Sequence, residues 1–206
     1  MKIKDFNIEE YLNKLSSGEP TPGGGAVAAL NGAQGTALIS MVVNHTVGKK
    51  KYAEFENFLK GSLEKCAEFL RELIEKIDED KKAFGKVAEA YSMRKETEEE
   101  KALRKTRIAK ASEWAAEVPF DVMKISMEAM KINFSMIDKT NKNLASDLYV
   151  SALNLDSAIK SANKNVVVNL PYIENEELKS RLEEGAEDIL RESEELLKEI
   201  LKKLSN

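Results

Sequence analysis

A chain of 206 residues, 42% hydrophobic and 33% charged, is long enough for one sizeable core under a surface rich in Lys and Glu, a composition also met in heat-adapted proteins. Its formal net charge of −4 excludes nucleic-acid binding by the chain as a whole and leaves Lys49-Lys50-Lys51 as a local basic run. One cysteine, Cys66, and one histidine, His45, exclude a disulfide framework and the usual four-ligand thiolate zinc site, so no metal is expected.

The predicted elements are all helical. A short helix over about Ile8 to Leu15 has Asn7 as its N-cap. Glu19-Pro20-Thr21-Pro22-Gly23-Gly24-Gly25 follows, a Pro-braced turn running into three glycines, each costing about 1 kcal/mol of helix propensity relative to Ala. Backbone that bare implies close approach to another helix or to a ligand. The second helix, about Gly24 to Asn44, is apolar on nearly every side; its small residues and its Asn31, Gln34 and Asn44 favour a buried helix over a membrane span.

A long amphipathic helix over about Lys50 to Ile77 is expected to break at Asp78-Glu79-Asp80 and restart from Lys81 to Ser92. Thr97 to Glu100 forms a capping-box pattern opening a helix to Val118, and Pro119 is expected to start the next, to about Ile137. After a polar loop at Asp138 to Asn143, Ser146 is the expected cap of a helix from Asp147 to Val168, which stops before Pro171. In the last helix, about Glu174 to Leu204, Leu182, Ile189 and Leu196 fall seven apart, a packed or coiled-coil-like seam. With no linker between elements, the expectation is one domain over 1–206: a helical bundle with a long buried second helix and a long amphipathic C-terminal one.

Several constellations admit both a structural and a chemical reading. Glycine N–H groups ahead of a helix can cradle an anion or admit a flat ligand, or can simply make a tight turn; no Walker lysine or preceding strand accompanies them. Asp147 at a helix start reads as a dipole-favoured cap or as a carboxylate entering a pocket. Asn165 and Asn169 share a helical face in an apolar segment, where a ligand's amide edge or a neighbouring helix end would satisfy them. Asp78 and Asp80 read first as caps at a helix junction, Arg104 and Arg107 as solvated cations, and Trp114 and Cys66 as core. His45 has no Ser/His/Asp or Cys/His set around it. With no apolar stretch in Met1-Lys2-Ile3-Lys4-Asp5, a reducing cytoplasm is the expected location.

Five segments in order resemble the formiminotetrahydrofolate cyclodeaminase and methenyltetrahydrofolate cyclohydrolase family, across about residues 5 to 200. They are Pro20 to Leu30 with Met41-Val42-Val43-Asn44; Asp78-Glu79-Asp80 with Ala83-Phe84; Arg104 through Ala115 to Val118-Pro119; Ser146-Asp147-Leu148; and Asn165-Val166-Val167-Val168-Asn169-Leu170. The family tends to carry an apolar residue where His45 stands, and often a proline near Tyr91-Ser92-Met93. The resemblance implies an all-helical bundle, usually a homodimer, binding a reduced folate, without metal, redox cofactor, nucleic acid or membrane. It implies Asp147, then Asp80, as the acid–base carboxylate or pterin holder. Gly23, Gly24, Gly25, Asn44, Arg104, Asn165 and Asn169 are the implied substrate contacts, with Lys and Arg near the mouth for the glutamate tail. The implied reaction closes 5-formimino-tetrahydrofolate to 5,10-methenyl-tetrahydrofolate with loss of ammonia, or opens the methenyl bridge to 10-formyl-tetrahydrofolate. The formiminotransferase domain of longer members has no counterpart in these residues, so formimino transfer is not expected. The competing reading is a helical adaptor or oligomerisation protein, resting on the last helix and the small-residue seam.

Overall fold

The computed structural model describes residues 2–205, which form six α-helices joined by short 3-10 turns. Helix α1 (Ile8–Leu15) opens on a capping box: Glu10 N–H donates to Asn7 Oδ1 at 2.9 Å, and Asn7 N–H to Glu10 Oε2 at 3.0 Å. The Pro-Gly turn leads into α2 (Gly24–Asn44), and α3 (Glu56–Tyr91) and α4 (Glu98–Met136) make a long antiparallel hairpin. Helix α5 (Ala145–Val167) returns beside α4, and α6 (Glu176–Leu204) closes the bundle.

Helix α2 is the axis. It packs on α3, α4 and α5, while α6 covers α4 and α5. By length and composition α2 passes for a membrane span, yet 56% of its apolar window is buried inside the bundle. Small residues allow the close contact: a Cβ at Gly35 would meet Leu155 Cγ at 2.7 Å and the Ser151 carbonyl at 3.0 Å. In the space left, Ser151 Oγ donates to the Gly35 carbonyl at 2.8 Å. Together with Asn31 Nδ2 donating to Ser157 Oγ at 3.1 Å, this sets α2 and α5 antiparallel. The start of α2 therefore lies at the end of α5, where the site forms.

Three boundaries differ from expectation. Helix α3 runs unbroken through Asp78-Glu79-Asp80, so neither aspartate caps a junction. Both carboxylates are engaged by other segments: Asp78 Oδ1 accepts the Ile3 N–H at 2.6 Å, and Asp80 accepts the Ala26 N–H. Neither is left to compete with its own helix backbone. Helix α4 runs through Pro119, whose missing N–H releases the carbonyl four residues back, that of Ala115. Asn169 Nδ2 donates to that carbonyl at 3.3 Å. Helix α5 starts at Ala145 rather than under a Ser146 cap, with the preceding 3-10 turn capped by Asn141. Asp147 sits in its first turn, a favourable place for a negative charge.

The seam of α6 is consumed inside the bundle, where Leu182, Ala186, Ser193 and Ile200 are buried. Cys66 is buried, and desolvation pushes its thiol up to about 11, an unreactive small hydrophobe.

Candidate active site

The three glycines behave differently. A Cβ at Gly25 would overlap Oδ1 of Asp80 and sit 2.5 Å from its Cγ, so Asp80 occupies the space of the missing side chain. The Ala26 N–H, one of the unpaired donors of the first turn of α2, completes the seat. Gly24 is exposed and faces the Asn165 amide, with a hypothetical Cβ 3.7 Å from Nδ2. Gly23 is the N-cap in extended backbone and meets only the Pro20 carbonyl at 3.8 Å. One glycine thus admits a protein carboxylate, and its neighbour stays open.

These groups line a cavity of about 370 Å³, walled by Pro20, Thr21, Gly23 to Gly25, Asp80, Phe84, Ala115, Asn165 and Asn169. Asp80 is its one ionisable side chain among the described residues, and burial pushes its carboxyl above the usual range, opposed by the Ala26 N–H. Asn165 Nδ2 donates to the Ser161 carbonyl at 2.9 Å, and Asn169 Nδ2 to the Asn165 carbonyl at 2.8 Å as well as to Ala115. Both donors of Asn169 and one of the two of Asn165 are committed to protein, which leaves their Oδ1 atoms and one Asn165 N–H for a ligand. Such a cavity offers one raised carboxyl, two amide acceptors and exposed glycine backbone: a setting for a flat, donor-rich ring and a proton transfer.

Arg104 lies outside this cavity, in an adjoining groove of about 610 Å³ with Tyr91, Lys95, Lys101, Lys105 and Tyr172. Its Nε and Nη2 donate to the Tyr91 carbonyl at 3.3 and 3.1 Å, and its guanidinium stands 5.3 Å from the Tyr91 ring centre. Tyr91 and Tyr172 meet edge to face at 6.3 Å. Asp80, Phe84, Val87 and Tyr91 follow one face of α3, so the two compartments run in line over about 17 Å of helix.

Asp147 and Asn44 are not brought to this place. Asp147 is 18 residues from Asn165 on α5, about 27 Å along the axis, and Asn44 is at the opposite end of α2 from Gly24. The antiparallel register sets these two side by side at the far end of the bundle. The expectation that distant carboxylates converge on the glycines holds within one chain for Asp80 alone. Trp114, expected in the core, is half-buried and lines a separate groove with Lys86, Arg107 and Lys110.

The chain belongs to the formiminotransferase-cyclodeaminase family, whose model matches residues 7–188. Among its relatives is a methenyltetrahydrofolate cyclohydrolase of Methylorubrum extorquens, 41% identical over 192 residues, covering 93% of this chain and 89% of that protein. The formimidoyltransferase-cyclodeaminase of Dictyostelium discoideum is 30% identical over 99% of this chain, which spans only 37% of that longer protein. Among solved structures, the formiminotetrahydrofolate cyclodeaminase of Thermotoga maritima superposes with a TM-score of 0.89 at 29% identity, covering 99% of this chain and 98% of that one.

Proposed function

We propose that this protein is a folate one-carbon enzyme, a methenyltetrahydrofolate cyclohydrolase, with Asp80 as its proton-transfer group. The observation that carries the reading is the half-buried carboxyl seated on Gly25 and facing a cavity sized for a pterin. Family membership and the near full-length likeness to a cyclohydrolase supply the reaction class, and both favour an enzyme over an adaptor. The likeness to a solved cyclodeaminase makes formimino ring closure the second activity to assay.

The amino-pyrimidine edge of a reduced pterin presents N–H donors, which suit the Asn165 and Asn169 oxygens, while the ring lies on the bare backbone of Gly23 and Gly24. The benzoyl linker then follows Phe84 and Val87 towards Tyr91, and the glutamate carboxylates meet Arg104, Lys95, Lys101 and Lys105. In bridge opening, water attacks the carbon between N5 and N10 and Asp80 takes a water proton. The tetrahedral intermediate collapses to the formyl group as N5 departs with a proton; one proton is released overall. In ring closure, N10 attacks the formimino carbon and loses its proton, and ammonia leaves protonated. A carboxyl raised toward the working pH serves either sequence better than an ordinary aspartate. No electrons move, so no redox cofactor is required, and a cytoplasmic location suits a soluble folate substrate.

Asp147 and Asn44 enter this scheme through a second copy. Helix α2 carries no charged residue, and its outer face (Val27, Gln34, Leu38, Met41) continues onto exposed Val150 and Leu153 of α5. An isologous dimer about a two-fold axis at Gln34 covers this face and sets Asn44 and Asp147 of the partner subunit beside Gly24.

The test follows methenyl absorbance with each substrate in turn. Bridge opening faster than the uncatalysed rate, reduced about 10²–10⁴-fold by Asp80→Asn, is the expected result. Turnover of neither substrate, or full activity in the variant, refutes the assignment.

A further inference from the structure

We propose that Tyr91 and Tyr172 form an aromatic collar between the pterin cavity and the cationic groove, and that they make the enzyme select a folate carrying its aryl-glutamyl arm over a bare reduced pterin. The inference deepens the folate reading above and rests on it. Tyr91 is the last residue of α3, and Tyr172 ends the 3-10 turn Leu170–Tyr172 that follows α5. Their rings meet edge to face at 6.3 Å with planes 86° apart, yet Tyr91 remains 43% and Tyr172 49% exposed. Aromatics recruited for a core are covered. Two that meet on the surface with open faces leave a corner, where a third ring can lie face-on to one and edge-on to the other.

Each ring stands on a segment that also walls the cavity. Helix α3 brings Phe84 and Val87 to the cavity before it reaches Tyr91, whose side chain leans back toward the helix N-terminus and so toward Val87. Val168 and Asn169 line the cavity, Pro171 and Tyr172 line the groove, and the Asn169 carbonyl accepts the Tyr172 N–H at 3.1 Å. The collar is therefore the seam of the two compartments. Arg104 fixes one half of it. Its two bonds to the Tyr91 carbonyl close the end of α3, and three of its N–H groups remain for a carboxylate. Lys101 and Lys105 are paired with Glu98 and Glu174, which leaves Arg104 and Lys95 as the less committed cations of the groove. An aromatic corner followed by open cations matches a ring that ends in carboxylates, the order of groups along a p-aminobenzoyl-glutamate arm.

The test is calorimetric titration of 5-formyl-tetrahydrofolate, and of the same reduced pterin with a methyl group in place of its arm, into the parent, Tyr172→Leu and Tyr172→Phe. The parent is expected to hold the folate at least about tenfold tighter than the truncated pterin. Tyr172→Leu weakens the folate about tenfold, leaves the truncated pterin where it was, and raises KM more than it lowers kcat. Tyr172→Phe, which keeps the ring, restores the parental affinity. Equal weakening of both ligands, a folate affinity unmoved by Tyr172→Leu, or a parent that binds both ligands alike overturns the proposal. Failure of the folate reading shows separately, as a parent that neither turns over a folate substrate nor binds 5-formyl-tetrahydrofolate, and it removes both. With turnover intact, the three adverse results strike the collar alone.

Discussion

Asp80 owes its character to what surrounds it. Packed where Gly25 lacks a side chain and bonded by the Ala26 N–H, it is partly withdrawn from water, and its carboxyl is raised. The linkage has a definite sign. A carboxyl whose pKa is higher folded than unfolded binds its proton more tightly in the native state, so stability falls as pH climbs through the interval between the two values. Its destabilising effect is complete above the folded value and absent below the unfolded value of about 4. Asp80→Asn keeps the acceptor for Ala26 and removes the half-buried charge. Urea unfolding is therefore expected to show the variant more stable than the parent near neutrality, with the gap closing toward about pH 4. A gap independent of pH contradicts the burial account. Raised activity-site carboxyls of this kind trade stability for chemistry.

Helix α4 links backbone to site through its proline. Pro119 strips the Ala115 carbonyl of its helical partner, and Asn169 fills the vacancy from beyond the end of α5. That bond and the one to the Asn165 carbonyl fix the Asn169 amide so that its oxygen is left for the ligand. Asn169→Ala is expected to cost about 1–3 kcal/mol by orphaning the Ala115 carbonyl, and to raise KM more than it lowers kcat. In a Pro119→Ala background the restored N–H meets the same carbonyl, so the stability cost of Asn169→Ala should shrink. A double-mutant cycle by denaturant unfolding measures the coupling, and strict additivity would break the connection.

Over the whole molecule, the antiparallel packing of α2 on α5 places Gly24 and Asp80 at one end and Asn44 and Asp147 at the other. A proposed two-fold at Gln34 is the arrangement that reunites them across a subunit boundary. Co-refolded Asp80→Asn and Asp147→Asn chains are then expected to regain activity that neither has alone, because some mixed dimers hold one site with both carboxylates. Light scattering at the mass of one chain, or mixtures no more active than their parts, would confine the site to a single subunit and remove Asp147 from it.

The helices at 8–15 and 24–44, the capping box at Thr97 and the expectation of an all-helical bundle were legible in the chain because spacing, caps and small residues act locally. The Pro-Gly turn likewise marked where bare backbone was wanted. Whether Asp78-Glu79-Asp80 would break its helix, whether Pro119 would start one, and whether Asp147 would reach the glycines were decided elsewhere. Each depended on a partner far along the chain: Ile3 and Ala26 for the aspartates, Asn169 for the carbonyl freed by proline, the direction of α5 for Asp147. Local pattern sets which segments coil and which face is apolar; only packing decides which donor meets a given carboxylate or carbonyl, and so which polar groups share a cavity.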